Sequence, residues 1–176
     1  MDMADSRGKR GGDELMAKMT FDGIDRFTHQ LSNLSSEVTN INKGALGEGA
    51  KYAAEQVGNA VDGLPVCSDH YTVPGAKRYG ATENEKTQIK ENFGIARFKQ
   101  SNGGWNTSIG FKGYVNTPSK RFNDHVPTGM LVQCIDQGTD FRRGTHSISK
   151  ASKSTKGGVE KKIQDYIDKE VNKIMK

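Results

Sequence analysis

Six apolar residues open the ordered pattern of this chain. Ile24, Phe27, Leu31, Leu34, Val38 and Ile41 are spaced 3, 4, 3, 4 and 3 residues apart, which places them on one face of an α-helix. Asp22 stands where a carboxylate accepts from the first free backbone amides, and Asp25 adds first-turn charge favoured by the helix dipole. Ser32, Asn33, Ser35, Ser36, Thr39, Asn40 and Asn42 fill the opposite face. These are poor helix formers, so packing rather than propensity must hold the segment. The stripe spans about three heptads, which favours an amphipathic helix docked on its own domain over an obligate coiled coil.

A second helix is predicted from Lys43 to Asp62, where Leu46, Ala50, Ala53, Ala54, Val57, Ala60 and Val61 recur at helical spacing. Gly44, Gly47, Gly49 and Gly58 each cost roughly 1 kcal/mol relative to Ala in a helix interior, so a break near Gly44–Gly49 is expected. Gly63-Leu64-Pro65 ends the element. Residues 66–92 read as a long irregular excursion, with a long loop at 67–92. Phe93–Phe98 and Trp105–Phe111 then carry apolar residues at alternate positions, joined through an Asn102-Gly103 turn, which predicts a β-hairpin. Phe93 and Ile95 are expected opposite Trp105, Ile109 and Phe111. Tyr114 to Val126 reads as a further loop, and Met130–Ile135 fits either a short helix or a buried strand. Val159, Ile163, Tyr166, Ile167, Val171, Ile174 and Met175 predict a closing helix, with Lys169 and Lys173 in its favourable last turns. Gly157-Gly158 marks its start, so the preceding SISKASKSTKGG reads as a flexible connector. There is no internal repeat. Residues 1–14 are glycine-rich, charged and aperiodic. The resulting division is a disordered arm over 1–18 and a single domain over 19–176.

Composition narrows the reading. Leu, Ile, Val and Phe make up 33 of 176 residues, which implies a thin core that a partner surface completes, while a net charge of +5 is too modest for wholesale disorder. No apolar run approaches the roughly 18 residues of a membrane span, and the first thirty residues lack the apolar segment of a signal peptide. A soluble protein not exported by the usual route is therefore expected. Two cysteines, Cys67 and Cys134, suit a reducing compartment and make no disulfide scaffold. The charge has an address: from Asp140 to Lys176 there are ten Lys/Arg and five acids, so the whole excess lies there. Such a surface suits nucleic acid, an acidic protein or plain solvation.

Little catalytic chemistry is legible. Cys67-x-x-His70 with His125 and Cys134 supplies residue types that zinc accepts, but the second pair fits no usual ligand spacing. Ser68, Asp69 and His70 are adjacent, whereas triad members converge from separate segments. There is no G-x-S-x-G, no Walker loop and no dinucleotide fingerprint. No enzyme, cofactor or metal is expected. Lys150, Lys153 and Lys156 recur every three residues among serines and threonines, a pattern that suits phosphate contacts but lacks interleaved aromatics.

Specific residues nevertheless form a familiar series. Thr20–Asp25 leading the heptad stripe, Ala50-Lys51-Tyr52-Ala53-Ala54 running to Leu64-Pro65-Val66, Trp105–Phe111, and above all Ile135-Asp136-Gln137-Gly138-Thr139-Asp140-Phe141-Arg142-Arg143-Gly144-Thr145-His146-Ser147-Ile148 resemble the tail-component (tail-completion, head–tail joining) family of long-tailed bacteriophages. The last stretch resembles that family's acid-x-Gly-Thr-Ser turn, with His146-Ser147 standing where Pro-Phe is usual. The resemblance covers about residues 19–175, and the 67–92 insertion departs from the pattern. It implies an α+β fold, with two N-terminal helices and a C-terminal helix on a small, mostly antiparallel sheet. It also implies a structural virion protein of the neck, a ring subunit joining head to tail without a catalytic site. Implied partners are other copies of itself, head-closure or adaptor proteins, and tail-tube or terminator proteins. Contact with packaged DNA is also implied, with assembly in the host cytoplasm. On this reading Gly138 and Thr139 form a turn that presents Phe141, Arg142 and Arg143 at a subunit contact. Lys150, Lys153 and Lys156 then form a basic surface. The alternative is a basic single-domain nucleic-acid-binding protein with those lysines as its site.

Overall fold

The computed structural model describes residues 24–67, 77–101, 104–117, 119, 121–123 and 125–176. The arm over 1–18, the Asp22 cap, the Ser68-Asp69-His70 cluster and the Asn102-Gly103 turn lie outside these residues.

The chain is mixed α and β. Its first element, α1 (Ile24–Asp62), is one helix of 39 residues, about 58 Å long at 1.5 Å per residue. The two helices expected at the N-terminus are therefore one, and Gly44–Gly49 does not break it. The physical reason is the closing helix, α4 (Ser147–Ile174), which lies antiparallel against α1. At one end the Arg26 guanidinium donates to the Lys176 carbonyl at 2.6 Å and the Gln30 amide to the Met175 carbonyl at 3.0 Å. Further along, a Cβ at Gly44 would lie 2.7 Å from Tyr166 Cζ, and one at Gly49 would lie 2.8 Å from Ile163 Cγ1. The same fit runs in reverse at Gly158 of α4, where a Cβ would lie 2.8 Å from Tyr52 Cζ. Each small residue faces a large one, so close helix–helix packing offsets what the glycines cost in helix propensity.

α4 also corrects the reading of SISKASKSTKGG as a flexible connector, since that stretch forms the first three turns of the helix. Ile148, Ala151, Thr155, Val159 and Ile163 continue one face, each half-buried or buried. The signal was present but diluted by serines and lysines.

Within the excursion over 66–92, the described residues 77–92 hold more regular structure than expected. It contains β1 (Arg78–Tyr79) and α2 (Glu83–Glu91). A capping box starts α2: the Glu85 amide donates to Thr82 Oγ1 at 3.1 Å and the Thr82 amide to Glu85 Oε2 at 3.0 Å. Thr82-Glu83-Asn84-Glu85 is thus the S/T-x-x-E helix-start pattern.

The hairpin forms in two short ladders, with Phe93 and Ile95 facing Phe111 and Ile109 as expected, whereas Trp105 stands opposite Gln100 rather than opposite Phe93 or Ile95. The outer ladder pairs β2 (Phe93–Ile95) with β5 (Ile109–Phe111), and the inner pairs β3 (Lys99–Ser101) with β4 (Gly104–Asn106), both antiparallel. Phe93 stands opposite Phe111, their ring centroids 5.0 Å apart, and Ile95 opposite Ile109. Trp105–Phe111 is not one strand, because Thr107-Ser108 interrupts it. β6 (Tyr114–Asn116) and β7 (His125–Pro127) pair antiparallel, and α3 (Thr128–Gln137) settles the Met130–Ile135 segment as helix. Next come β8 (Gly138–Thr139) and β9 (Arg142–Arg143). They join β1 in a three-stranded sheet of order β1-β9-β8, with β1 and β9 parallel. The expected single small sheet is therefore four very small ones among the described residues.

The core gathers Val61 and Leu64 after α1, Ala81, Ile89 of α2, Val115 and Val126 of the β6–β7 pair, and Leu131, Val132 and Ile135 of α3. It lies at the C-terminal end of α1. The opposite end of the α1–α4 pair extends from it as two helices.

Candidate subunit-contact surface

Residues 135–149 form a closed unit built on Asp136. Its carboxylate is buried and accepts the Ile148 amide at 2.9 Å and the Ser149 amide at 3.3 Å, and the Ser149 hydroxyl also binds it. The α4 N-terminus has no side-chain cap of its own, since His146 stands there in the left-handed region (φ 55°). Asp136, on another helix, supplies the missing acceptor at the positive end of the helix dipole. Two backbone bonds close the same unit, Thr145 N–H to the Ile135 carbonyl at 3.0 Å and His146 N–H to the Asp136 carbonyl at 2.9 Å. Gly138 makes the return possible: its φ is +89°, and a Cβ there would lie 2.7 Å from the Gly144 nitrogen. Only glycine takes up that geometry without strain. The acid-x-Gly-Thr pattern is thus a helix cap followed by an obligatory turn.

Beyond the turn, side chains alternate about the β9 strand. Phe141 is 59 % exposed and Arg143 is exposed. Arg142 points inward and is buried, which corrects its expected place at a subunit contact. It donates to the Gly80 carbonyl at 2.8 Å and grips Glu85 through Nη2, 3.1 Å from Oε1 and 3.2 Å from Oε2. Glu85 also accepts from Thr117 Oγ1 at 3.0 Å. Arg142 therefore anchors the turn to α2 and leaves its neighbours facing outward. Arg143 in turn stacks over Tyr79 of β1, with its guanidinium carbon 5.6 Å from the ring centroid.

The outcome is a surface carrying Tyr79, Phe141 and Arg143 from the three-stranded sheet and its turn, with Met130 of α3, all exposed. A cleft of about 360 Å³ lies beside it, lined by Phe122, Met130, Leu131, Cys134 and Phe141 among others. Aromatics, methionine and arginine are the residue types enriched where proteins meet. Thr139 lies in β8, half-buried, with no hydrogen-bond partner for its buried hydroxyl. Tyr79 and Met130 were missed from the sequence, because only the parallel pairing of β1 with β9 brings Tyr79 to Arg143.

Lys150, Lys153 and Lys156 are exposed on the first three turns of α4. Lys156 Nζ lies 4.0 Å from Glu160 Oε1 and lines a second cleft of about 430 Å³ with Val57, Phe93, Phe111, Ile148 and Val159. Of the residues weighed as zinc ligands, the described three, Cys67, His125 and Cys134, are not gathered into one group. Cys67 and Cys134 are half-buried free thiols, His125 Nδ1 is 3.0 Å from Asn116 Oδ1, and His70 lies outside the described residues. Among the described residues no group of three or more His, Cys, Asp or Glu is placed to hold a metal ion. No described helix is long and apolar enough to cross a membrane. No family model matches the chain, and neither a curated protein nor a solved structure matches it.

Proposed function

We propose that this chain is a structural subunit of a bacteriophage neck, one copy of a ring that joins the head to the tail tube. The observation that carries the reading is the outward-facing Tyr79–Phe141–Arg143 surface. It is held by a buried ion pair and an obligatory glycine turn; Phe141 and Arg143 stand on the stretch whose sequence resembles the tail-completion family, and Tyr79 joins them from the 67–92 insertion. A body with a small core and an exposed aromatic–arginine surface suits a subunit completed by its neighbours. Phe141 would enter an apolar recess of the adjoining copy or of a tail protein, with Arg143 beside it.

Electron microscopy of a lysate in which this gene alone is disabled tests the proposal. DNA-filled heads beside unattached tails support a joining role, and overlong tubes shift it to length termination. Intact infectious particles refute it. A second reading rests on Lys150, Lys153 and Lys156, which share a flank of one helix rather than a loose connector. Salt-dependent DNA binding by the purified protein, lost when the three lysines become glutamine, would favour that reading.

A further inference from the structure

The cleft beside Phe141 lies where several parts of the chain meet. Met130, Leu131 and Cys134, which share one face of α3, line it together with Phe122 and Val126. Arg78 of β1 and Thr139, Phe141 and Arg142 around the β8–β9 turn complete its edge. Its volume of about 360 Å³ falls at the small end of the range for small-molecule sites, which are mostly apolar with a few convergent polar groups. The charged residues of the lining have one predominant sign. Among the described residues it holds Arg78, Arg121 and Arg142 against one carboxylate, Glu85. Glu85 is already met by Arg142, the Thr82 amide and the Thr117 hydroxyl. The excess that remains is positive. The 430 Å³ cleft has no such excess, because Lys156 and Glu160 in its lining balance each other.

We propose that this cleft is a binding site for an apolar anion, a carboxylate or phosphate carried on an aromatic or short aliphatic group. The apolar group lies against Phe122, Met130 and Leu131, and the anionic oxygens face Arg121. Arg121 is exposed, with its guanidinium carbon 5.3 Å from the Phe122 ring centroid, so a cation stands at the edge of apolar surface. A guanidinium is weakly hydrated and offers a planar fork of donors to carboxylate or phosphate oxygens. Two donors in the same lining also lack an acceptor: Arg142 Nε, on a side chain 3 % exposed, and Thr139 Oγ1. Buried polar groups are nearly always satisfied, and a donor left over in the lining of a cleft is a cost that a bound acceptor removes.

Other ligand classes fit less well. A cation would meet Arg78 and Arg121, and a wholly apolar molecule would cover polar groups of the lining without supplying an acceptor. The site takes a small molecule and does not depend on the neck reading.

Titration of the isotope-labelled full chain, followed by NMR, tests the site with three probes of similar size: phenylacetate, phenyl phosphate and the neutral phenylacetamide. Saturable shifts at the Leu131, Cys134 and Thr139 amides are expected with an anion at roughly millimolar concentration, the scale for a ligand of about ten non-hydrogen atoms. The tighter of the two anions identifies the head group. The amide should bind at least ~10-fold more weakly. Met130→Glu places a carboxylate beside the anion and should abolish the shifts, and Arg121→Gln should weaken binding about two- to fivefold. Both residues are exposed, so the melting temperature of each variant should match the wild type. An absence of saturable shifts with both anions would overturn the proposal. So would an amide that binds as well as the anions, or shifts gathered at Val57, Phe93 and Val159 of the other cleft.

Discussion

Replacing Arg142 by methionine removes a guanidinium while keeping an unbranched side chain of similar reach. Arg142 and Glu85 are 3 % and 2 % exposed. Their contact comprises Nη1 to Oε2 at 3.3 Å and Nη2 to both carboxylate oxygens at 3.1 and 3.2 Å. After the substitution Glu85 keeps only the Thr82 amide and the Thr117 hydroxyl, each at 3.0 Å. Both are neutral donors and neither balances the charge. Stranding one member of a buried pair costs about 3–5 kcal/mol, against a total stability of about 5–15 kcal/mol for a domain. At about 2–4 °C per kcal/mol for a chain of this length, the melting temperature should fall by about 6–20 °C. Urea unfolding of the wild type, Arg142→Met, Glu85→Gln and the double variant measures the effect. The double variant should be more stable than the sum of the single losses implies, because Glu85→Gln removes the charge that the methionine strands. The Gly80 carbonyl also loses its 2.8 Å donor, so recovery should be incomplete. A loss under about 1 kcal/mol for Arg142→Met, or strict additivity, would refute the assignment of Arg142 as the anchor of the turn.

Three further outcomes are expected. Asp136→Ala leaves the α4 N-terminus uncapped and should lower stability by about 1–2 kcal/mol, with faster amide exchange at Ile148 and Ser149. The glycines divide by environment: Gly49→Ala drives a methyl against Ile163 and Val159 and should destabilise by about 1–2 kcal/mol, whereas Gly157→Ala meets nothing within 4 Å and should stabilise by about 0.5–1 kcal/mol in thermal melts. On α1 the Lys51 ammonium, bonded to Glu48 at 2.7 Å, holds that carboxyl below the usual carboxylate range. The small stabilisation this brings is present above the ordinary glutamate pKa and is lost as pH falls through the lowered value. Lys51→Ala should therefore move the Glu48 titration, followed by NMR, upwards.

The helical periodicity of Ile24–Ile41 and of Val159–Met175, the alternation of Phe93 and Ile95 against Ile109 and Phe111, and the turn chemistry of Gly138 were all legible in the sequence. Each is a local pattern whose period or backbone requirement needs no distant partner. Thr82-x-x-Glu85 was equally local, but it lay within a polar run that masked it.

Other features depended on residues remote in sequence. Whether Gly44 and Gly49 break a helix turned on Tyr166 and Ile163, more than a hundred residues away, because a glycine's propensity cost is decided by what packs against it. The lysine-rich segment became helix because Asp136 caps it from α3. Arg142 went inward because Glu85 and the Gly80 carbonyl wait there, and Tyr79 joined Arg143 only through a parallel strand pair. Composition had located the basic excess but not its orientation. Which side chains face water is settled by long-range packing, and that packing separates the outward Phe141 and Arg143 from the buried Arg142 between them.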